Sequence, residues 1–449
     1  MKKLDNFPYQ HVLVLGLARS GTAAAKILLK NDRNVRVNDL QLTEKSTVVQ
    51  DLTSLGAEIV LGSHPLSVLD GVEIVVKNPG IPYDNPVLVE AAKRDIPIVT
   101  EIEIAYQLVP GPLIGITGSN GKTTTTTLTT EMLKQSNQPV TVAGNIGVVA
   151  TEAAQDLTEE ERFVLELSSF QLQGTKNFRP TIAIILNLFQ AHLDYHKTFE
   201  NYKQAKFNIF KNQTEEDYLI YNADDSDIVE ALGEAKGRLI PFSTTKKVTT
   251  GAWTDGTAIY FLNEKVIELD KVVLVGRHNL ENILAAIAAA KLAGATNEGI
   301  EKVLTTFTGV KHRLQYVKTV NGRMFYNDSK ATNMLATEKA LSAFTKPTIL
   351  LAGGLDRGDD LTELLPHLEH VKGIISFGET KEKFRELAKK ADLPLVLTAS
   401  DIEDAVIQAY RHSEEGDVIL LSPACASWDQ YRTFEERGDM FIQAVHTLE

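Results

Sequence analysis

The stretch Gly115-Ile116-Thr117-Gly118-Ser119-Asn120-Gly121-Lys122-Thr123-Thr124 sets glycines, hydroxyls and a lysine in the order of a nucleotide phosphate cradle. Glycines let backbone N–H groups converge on phosphate oxygens, and a helix starting there adds a favourable field. Lys122 would reach the terminal phosphates and the Thr123 hydroxyl would take Mg²⁺, with Gly118, Ser119, Asn120, Gly121 and Thr124 completing the loop. The general pattern asks for glycine where this chain has Ile116, and the glycines lie instead at Gly115 and Gly118.

A second group of polar residues follows two apolar runs. Glu166 closes Phe163-Val164-Leu165 and precedes Leu167-Ser168-Ser169-Phe170-Gln171. A carboxylate among apolar neighbours needs a partner, because an unpaired buried charge is costly. A metal, a base or an ordinary salt bridge would each serve. His192 and Asp194 follow the next run, again at a strand end, where open parallel sheets bind ligands. A lone histidine there is more often structural. Beside Glu166 and a phosphate loop it is a candidate Mg²⁺ ligand, although Mg²⁺ prefers oxygen.

These groups require elements that deliver loops to one edge of a sheet. Apolar runs at 11–16, 34–38, 72–77 and 96–100 read as strands, and 21–30 as a helix. The phosphate loop restarts the alternation: it follows Pro112-Leu113-Ile114 and opens a helix expected over 125–134. Further strands are expected at 140–142, 163–167, 181–186 and 218–222. Between 248 and 269 the pattern is that of hairpins around Thr254-Asp255-Gly256 and Asn263-Glu264-Lys265, and an alanine-rich helix follows over 279–292. A third set begins near Thr308, with strands at 315–320, 348–352, 373–377, 395–397 and 418–421. Strands alternating with helices imply parallel sheets with helices on their faces.

Near the N-terminus, Gly16-Leu17-Ala18-Arg19-Ser20-Gly21 follows the first strand and approximates the dinucleotide fingerprint, with Asp39 where the ribose-binding acid belongs. Alone, this suggests a nicotinamide-dependent oxidoreductase. Ala18 replaces the middle glycine, which hinders approach to a pyrophosphate, and no dehydrogenase catalytic set lies nearby. A diphosphate on another nucleotide, such as a UDP-sugar, satisfies the same geometry, and so does a tight turn with no ligand.

Composition narrows the classes. The 449 residues, 43% hydrophobic and 23% charged, suit a soluble globular chain of about three domains. A net charge of −13 argues against nucleic acid as a main partner, which requires a basic face. Cys425 is the only cysteine, so no intramolecular disulfide can form and a reducing cytoplasm is expected. No window supplies the ~20 apolar residues of a membrane span. The first apolar run is broken by Arg19, so neither a signal peptide nor membrane attachment is expected.

Taken together, the motifs resemble those of the Mur ligase family, ATP-dependent enzymes that form amide bonds in peptidoglycan precursor synthesis. The matching pieces run along the whole chain: residues 118–124, Gly144-Asn145-Ile146-Gly147, residues 166–171, and residues 187–194. Further on come residues 276–282, His312-Arg313 and Asn327-Asp328-Ser329-Lys330-Ala331-Thr332-Asn333. The family's P-loop carries the same glycine offset. Residues 422–431 with Phe434-Glu435-Glu436-Arg437-Gly438 resemble the branch that adds D-glutamate, and the Asp-Asn-Pro-Arg signature of the diamino-acid branch is absent.

The resemblance implies an α/β fold of three domains. These are a Rossmann-like UDP-sugar domain (1–103), a P-loop ATPase-like domain with appended β-hairpins (104–307) and a Rossmann-like amino-acid domain (308–449). It implies ATP and two Mg²⁺ ions, the metal positions being Thr123, Glu166, His192 and a carbamylated Lys206. Catalytic weight would fall on Lys122, Lys206 and His192. Judged by residue type alone, Lys206 reads as part of a solvated helix face. Asn279, Asn282, Arg313 and Asp328 match positions that hold adenine, ribose or phosphate. Leu17, Ala18, Arg19, Ser20, Asp39, Asn78, Pro79, Gly80 and Asn145 would hold the UDP-sugar. Thr332, Ser427 and Phe434 would receive D-glutamate, and Ser168, Gln171 and Lys330 are counted with the substrate positions. Arg357 stands where some members place a lysine facing the amino-acid side chain; arginine keeps the charge and can bind a carboxylate bidentately.

The implied reaction adds D-glutamate to UDP-N-acetylmuramoyl-L-alanine through an acyl phosphate, in a monomeric cytoplasmic enzyme. Alternatives of other kinds are another Mur-type or folylpolyglutamate-synthetase-like ligase, a P-loop motor, and a non-catalytic nucleotide sensor. The motor predicts ATP turnover without a carboxylate substrate, and the sensor predicts binding without product.

Overall fold

The structure is a computed structural model and describes residues 2–448. Two compact units emerge, Met1–Lys271 with Glu281–Thr305, and Val272–Leu280 with Thr306–Glu449.

The first unit holds two sheets. In one, β1 (His11–Leu15), β2 (Asn34–Asp39), β3 (Glu58–Leu61), β4 (Ile74–Lys77) and β5 (Ile98–Val99) pair in the order β3-β2-β1-β4-β5, all parallel. Apolar runs such as Val12 to Leu15 are buried on both faces, as a helix-covered parallel sheet demands. Strand order reverses between β1 and β4, so the loops leaving these two strands, 16–21 and 78–81, diverge around a crevice where ligands bind in such sheets.

The second sheet contains β6 (Leu113–Thr117), β7 (Val140–Gly144), β8 (Arg162–Glu166), β9 (Ile182–Ile185), β10 (Tyr218–Asn222), β11 (Arg238–Ser243), β12 (Ala252–Thr254), β13 (Ala258–Phe261) and β14 (Glu264–Glu268). Their order is β14-β13-β12-β11-β10-β9-β6-β8-β7. The pairing is parallel as far as β12, and β13 and β14 add an antiparallel hairpin ribbon. β6 lies between β8 and β9, at a second point where the order reverses. Ile116 is fully buried within β6 and pairs with Glu166 on one side and Ile184 on the other. The absent glycine is therefore a core strand position.

Helix Lys122–Gln135 follows the loop and begins earlier than the apolar pattern suggests, because Gly121 at φ +82° ends the turn immediately before Lys122. It stays helical despite its threonines, which lose side-chain freedom in a helix. Burial of Thr124, Thr125, Thr126, Thr129 and Thr130 in the fold overrides that preference.

The second unit carries β15 (Gln315–Val320), β16 (Arg323–Asn327), β17 (Thr348–Gly353), β18 (Val371–Phe377), β19 (Leu395–Thr398) and β20 (Val418–Leu421) in the order β15-β16-β20-β17-β18-β19. Only β15 is antiparallel to its neighbour.

Three strands exceed the sequence expectation: β3, β11 and β16. β3 is an edge strand with no fully buried residue, and β11 begins exposed and contains Pro241, so neither shows a clean apolar run. β16 is the hairpin partner of β15 across Asn321-Gly322, both at positive φ, the turn chemistry of a tight hairpin.

Candidate active site

In the first unit the phosphate loop is braced from behind. Ser119 N donates to Asn187 O at 2.9 Å, Asn120 N donates to Asn187 Oδ1 at 2.9 Å, and Ser119 Oγ lies 2.9 Å from the Tyr202 hydroxyl. A Cβ on Gly118 would stand 2.8 Å from Leu186 Cβ, and one on Gly121 would stand 2.0 Å from Asn282 Oδ1. These close approaches explain why the cradle places glycine at both positions. Lys122 Nζ folds back onto the carbonyls of Gly118 (2.9 Å) and Ser119 (3.2 Å), inside the loop it serves. Thr123 and Thr124 open the helix beside it.

Glu166 ends β8, next to β6, and is 1% exposed. Its Oε1 accepts from Asn145 Nδ2 at 2.8 Å; its Oε2 is buried with no hydrogen-bond partner. A salt bridge, the ordinary expectation for such a residue, is absent among the described residues. An orphaned carboxylate oxygen beside a Gly-Lys-Thr turn suits a hard divalent cation such as Mg²⁺. No group of three or more His, Cys, Asp or Glu side chains gathers as a metal cage among the described residues, so a cation there would draw on hydroxyl and phosphate oxygens as well.

Lys206, on helix Phe199–Phe207, is 1% exposed and not part of a solvated face. Its Nζ donates to Gly118 O at 2.8 Å and to Thr117 Oγ1 at 3.4 Å, and lies 4.8 Å from the Tyr202 ring centre. Burial, and secondarily Lys122, lowers its pKa well below that of a free lysine. His192 sits at φ +55° with its ring 5.0 Å from that of Phe170; desolvation first, then Lys122 and Lys206, lowers its pKa too. Ser168 and Gln171 form a capping box that starts helix Ser169–Leu172, with Ser168 N donating to Gln171 Oε1 at 2.9 Å. Their side chains hold each other as well as lining this end of the sheet.

At the first sheet's crevice, Asp39 Oδ2 accepts from Leu17 N at 2.8 Å while Oδ1 accepts from Gln41 N and Leu42 N. Although desolvation opposes it, these amides leave the Asp39 pKa below the usual range. Ala18 and Arg19 are exposed, and Arg19 Nη2 donates to Gly147 O at 2.8 Å. Asn78 Nδ2 donates to Ser20 Oγ at 3.3 Å, and Gly80 N donates to Asn78 Oδ1 at 3.3 Å, with Pro79 between them.

The second unit brings together another set. Asp328 is buried after β16; its Oδ1 accepts from Leu314 N and its Oδ2 from Ser422 Oγ, each at 3.0 Å. Burial raises its pKa to about 7 against the opposing pull of those donors and of Arg313. Asn279 is buried and donates to Val275 O at 2.7 Å. Ser427 is 1% exposed and its Oγ has no hydrogen-bond partner, a second orphaned polar atom. Lys330 Nζ lies 5.5 Å from the Phe434 ring centre, and Thr332 N closes a turn onto Lys330 O. Arg357 is exposed and its guanidinium lies 5.0 Å from the Trp428 ring centre. Beneath these loops the buried Arg437 donates to Ser329 Oγ and O, Gly353 O and Cys425 O. Sequence reasoning assigned no role to Asn187, Tyr202 or Arg437. Their signal lay in adjacency to motifs, and only the fold shows what they hold.

Three family models cover most of the chain: Mur ligase MurD-like, N-terminal domain over residues 10–100; Mur ligase middle domain over 116–290; and Mur ligase, glutamate ligase domain over 312–425. The chain is 59% identical to UDP-N-acetylmuramoylalanine--D-glutamate ligase of Oceanobacillus iheyensis over 448 residues, covering 100% of both. It is 57% identical to the enzyme of that name from Bacillus cereus, again over 100% of both chains. Among solved structures, UDP-N-acetylmuramate-alanine ligase from Thermotoga maritima shares the fold at TM-score 0.57 and 18% identity, covering 98% of this chain and 100% of that one. A UDP-N-acetylmuramoyl-L-alanyl-D-glutamate--2,6-diaminopimelate ligase does so at 0.60 and 18%, covering 98% and 96%.

Proposed function

The chain belongs to the Mur ligase family, and we propose that it joins D-glutamate to UDP-N-acetylmuramoyl-L-alanine while ATP becomes ADP and phosphate. The observation that carries this reading is the match along the whole chain to relatives named for that activity. The phosphate loop, the orphaned Glu166 oxygen and the buried Lys206 at one sheet edge support it.

In this reading residues 1–103 bind the UDP-sugar, 104–307 carry the ATP phosphates, and 308–449 receive the amino acid. The alanyl carboxylate attacks the γ-phosphorus, the bond to the ADP oxygen breaks, and an acyl phosphate results. Lys122 exchanges the carbonyls of Gly118 and Ser119 for phosphate oxygens and offsets their charge. Thr123, Glu166 and His192 would hold Mg²⁺ and a carbamylated Lys206 a second ion, which when bound neutralise charge on the phosphoryl group. Carbamylation needs an uncharged amine, and burial favours that form of Lys206. The deprotonated amine of D-glutamate then attacks the acyl carbon, and the tetrahedral intermediate expels phosphate.

Ser427 Oγ, Thr332, Lys330 and Phe434 are the D-glutamate positions, with Arg357 facing its side-chain carboxylate. Asn279, Asn282, Arg313 and Asp328 take the nucleoside end of ATP. Leu17 to Ser20, Asp39, Asn78 to Gly80 and Asn145, with Ser168 and Gln171 beyond, take the UDP-sugar. The protein works as a monomer in the cytoplasm, and no helix among its described residues is long and apolar enough to cross a membrane. The test is phosphate release with ATP and Mg²⁺, adding UDP-N-acetylmuramoyl-L-alanine and D-glutamate singly and together. Release that needs both supports the ligase; release indifferent to D-glutamate rejects it.

A further inference from the structure

The proposed reaction gives no role to the buried Lys77. Lys77 closes β4, whose four residues are all buried, and is itself 1% exposed. A buried ammonium normally sits beside a carboxylate. Lys77 makes no ion pair among the described residues, and burial alone lowers its pKa to about 7. Its partners are neutral: Nζ donates to Pro79 O at 3.1 Å and to the Tyr195 hydroxyl at 3.0 Å, and lies 4.8 Å from the Tyr83 ring centre.

Tyr195 completes the arrangement. Its hydroxyl is 3.1 Å from both Pro79 O and Ile81 O, while it accepts from Lys77. The ring stands edge-on to Phe170 at 4.6 Å, and Phe170 in turn meets the His192 ring. On its other side the loop 78–81 leans on the first glycine turn: a Cβ on Gly16 would lie 2.8 Å from Ile81 Cδ1. A loop after the first sheet is thereby tied to the segment after β9 of the second sheet.

We propose that Lys77 and Tyr195 are positioning residues for the uridine-nucleotide substrate, holding the 78–81 loop in its binding conformation against the second sheet. An anion arriving on that loop stabilises the Lys77 ammonium, so the charge and a diphosphate-bearing ligand favour one another. The inference rests on reading Asn78, Pro79 and Gly80 as part of the UDP-sugar site.

The test is steady-state kinetics of the full-length protein with each substrate varied in turn, for wild type, Lys77→Met, Lys77→Arg and Tyr195→Phe. Losing a charged hydrogen bond, Lys77→Met should raise KM for UDP-N-acetylmuramoyl-L-alanine about tenfold or more, with KM for ATP and D-glutamate within about twofold. Lys77→Arg should recover part of that loss. Tyr195→Phe, which removes one oxygen, should raise the same KM by a smaller factor. An unchanged KM for the UDP substrate in Lys77→Met overturns the proposal, as does an equal rise in all three KM values. Should Lys77→Met fail to fold, Tyr195→Phe decides, and its unchanged KM overturns the proposal. Wild-type turnover that ignores the UDP substrate overturns the functional reading instead.

Discussion

Asn145 and Glu166 meet through two hydrogen bonds, backbone N to O at 2.9 Å and Nδ2 to Oε1 at 2.8 Å, the second of which fixes the carboxylate and leaves its Oε2 buried without a partner. Asn145 therefore orients the group proposed to hold Mg²⁺. Asn145→Ala should raise the Mg²⁺ concentration for half-maximal phosphate release roughly 10–100-fold. Glu166→Gln keeps the shape and removes the charge, and should lower kcat by about 100-fold or more. A Mg²⁺ titration of both variants decides; unchanged midpoints would remove the metal role from this pair.

Lys206 is buried among neutral oxygens rather than carboxylates. Lys206→Ala should lose most activity, and added bicarbonate should not restore it. A short carboxylic acid should restore part, since its carboxylate can stand where the carbamate would. Near-normal turnover at ordinary Mg²⁺ sinks the assignment of Lys206 as the carbamate carrier.

Gly121 sits at φ +82° with Asn282 Oδ1 2.0 Å from where a Cβ would be, whereas Gly147, at φ +70°, has open space around it. Gly147→Ala should cost only the left-handed backbone penalty, about 1–2 kcal/mol. Gly121→Ala adds a steric clash inside the phosphate cradle, so it should destabilise more and also weaken ATP binding. Denaturant unfolding and ATP titration of both variants check this. Equal effects on both readouts would show that the Asn282 contact is unimportant.

Asp328 keeps its proton up to about pH 7 in the folded chain and loses it near pH 4 when unfolded. The native state thus binds more protons between those values, and stability falls as pH rises through the interval. The contribution is complete below about pH 4 and gone above about pH 7. Asp328→Asn does not titrate, so the unfolding free energy of wild type relative to this variant should fall from pH 4 to pH 8. A difference that stays flat across that range contradicts the buried-carboxyl account.

Much of the parallel framework was legible because its signals are local. The runs 218–222, 315–320 and 418–421 coincide with β10, β15 and β20, where apolar stretches are bounded by turn residues. The phosphate loop and its helix were legible for the same reason, since glycines, lysine and helix start lie side by side. Edge strands without a buried face, such as β3, leave no comparable trace.

Lys206 shows where that reading ends. Lysine on a helix predicts solvent, and only the packing of Tyr202 and the carbonyl of Gly118 against it makes it a buried amine. By itself the sequence determined the alternating α/β class, the phosphate cradle and, through resemblance, the family. Tertiary structure decided which distant groups meet: Asn145 with Glu166, 21 residues apart, Lys206 with Gly118, 88 apart, and Lys77 with Tyr195, 118 apart. Crossover connections between parallel strands set those meetings, and the order of strands in a sheet is written in no single stretch of residues.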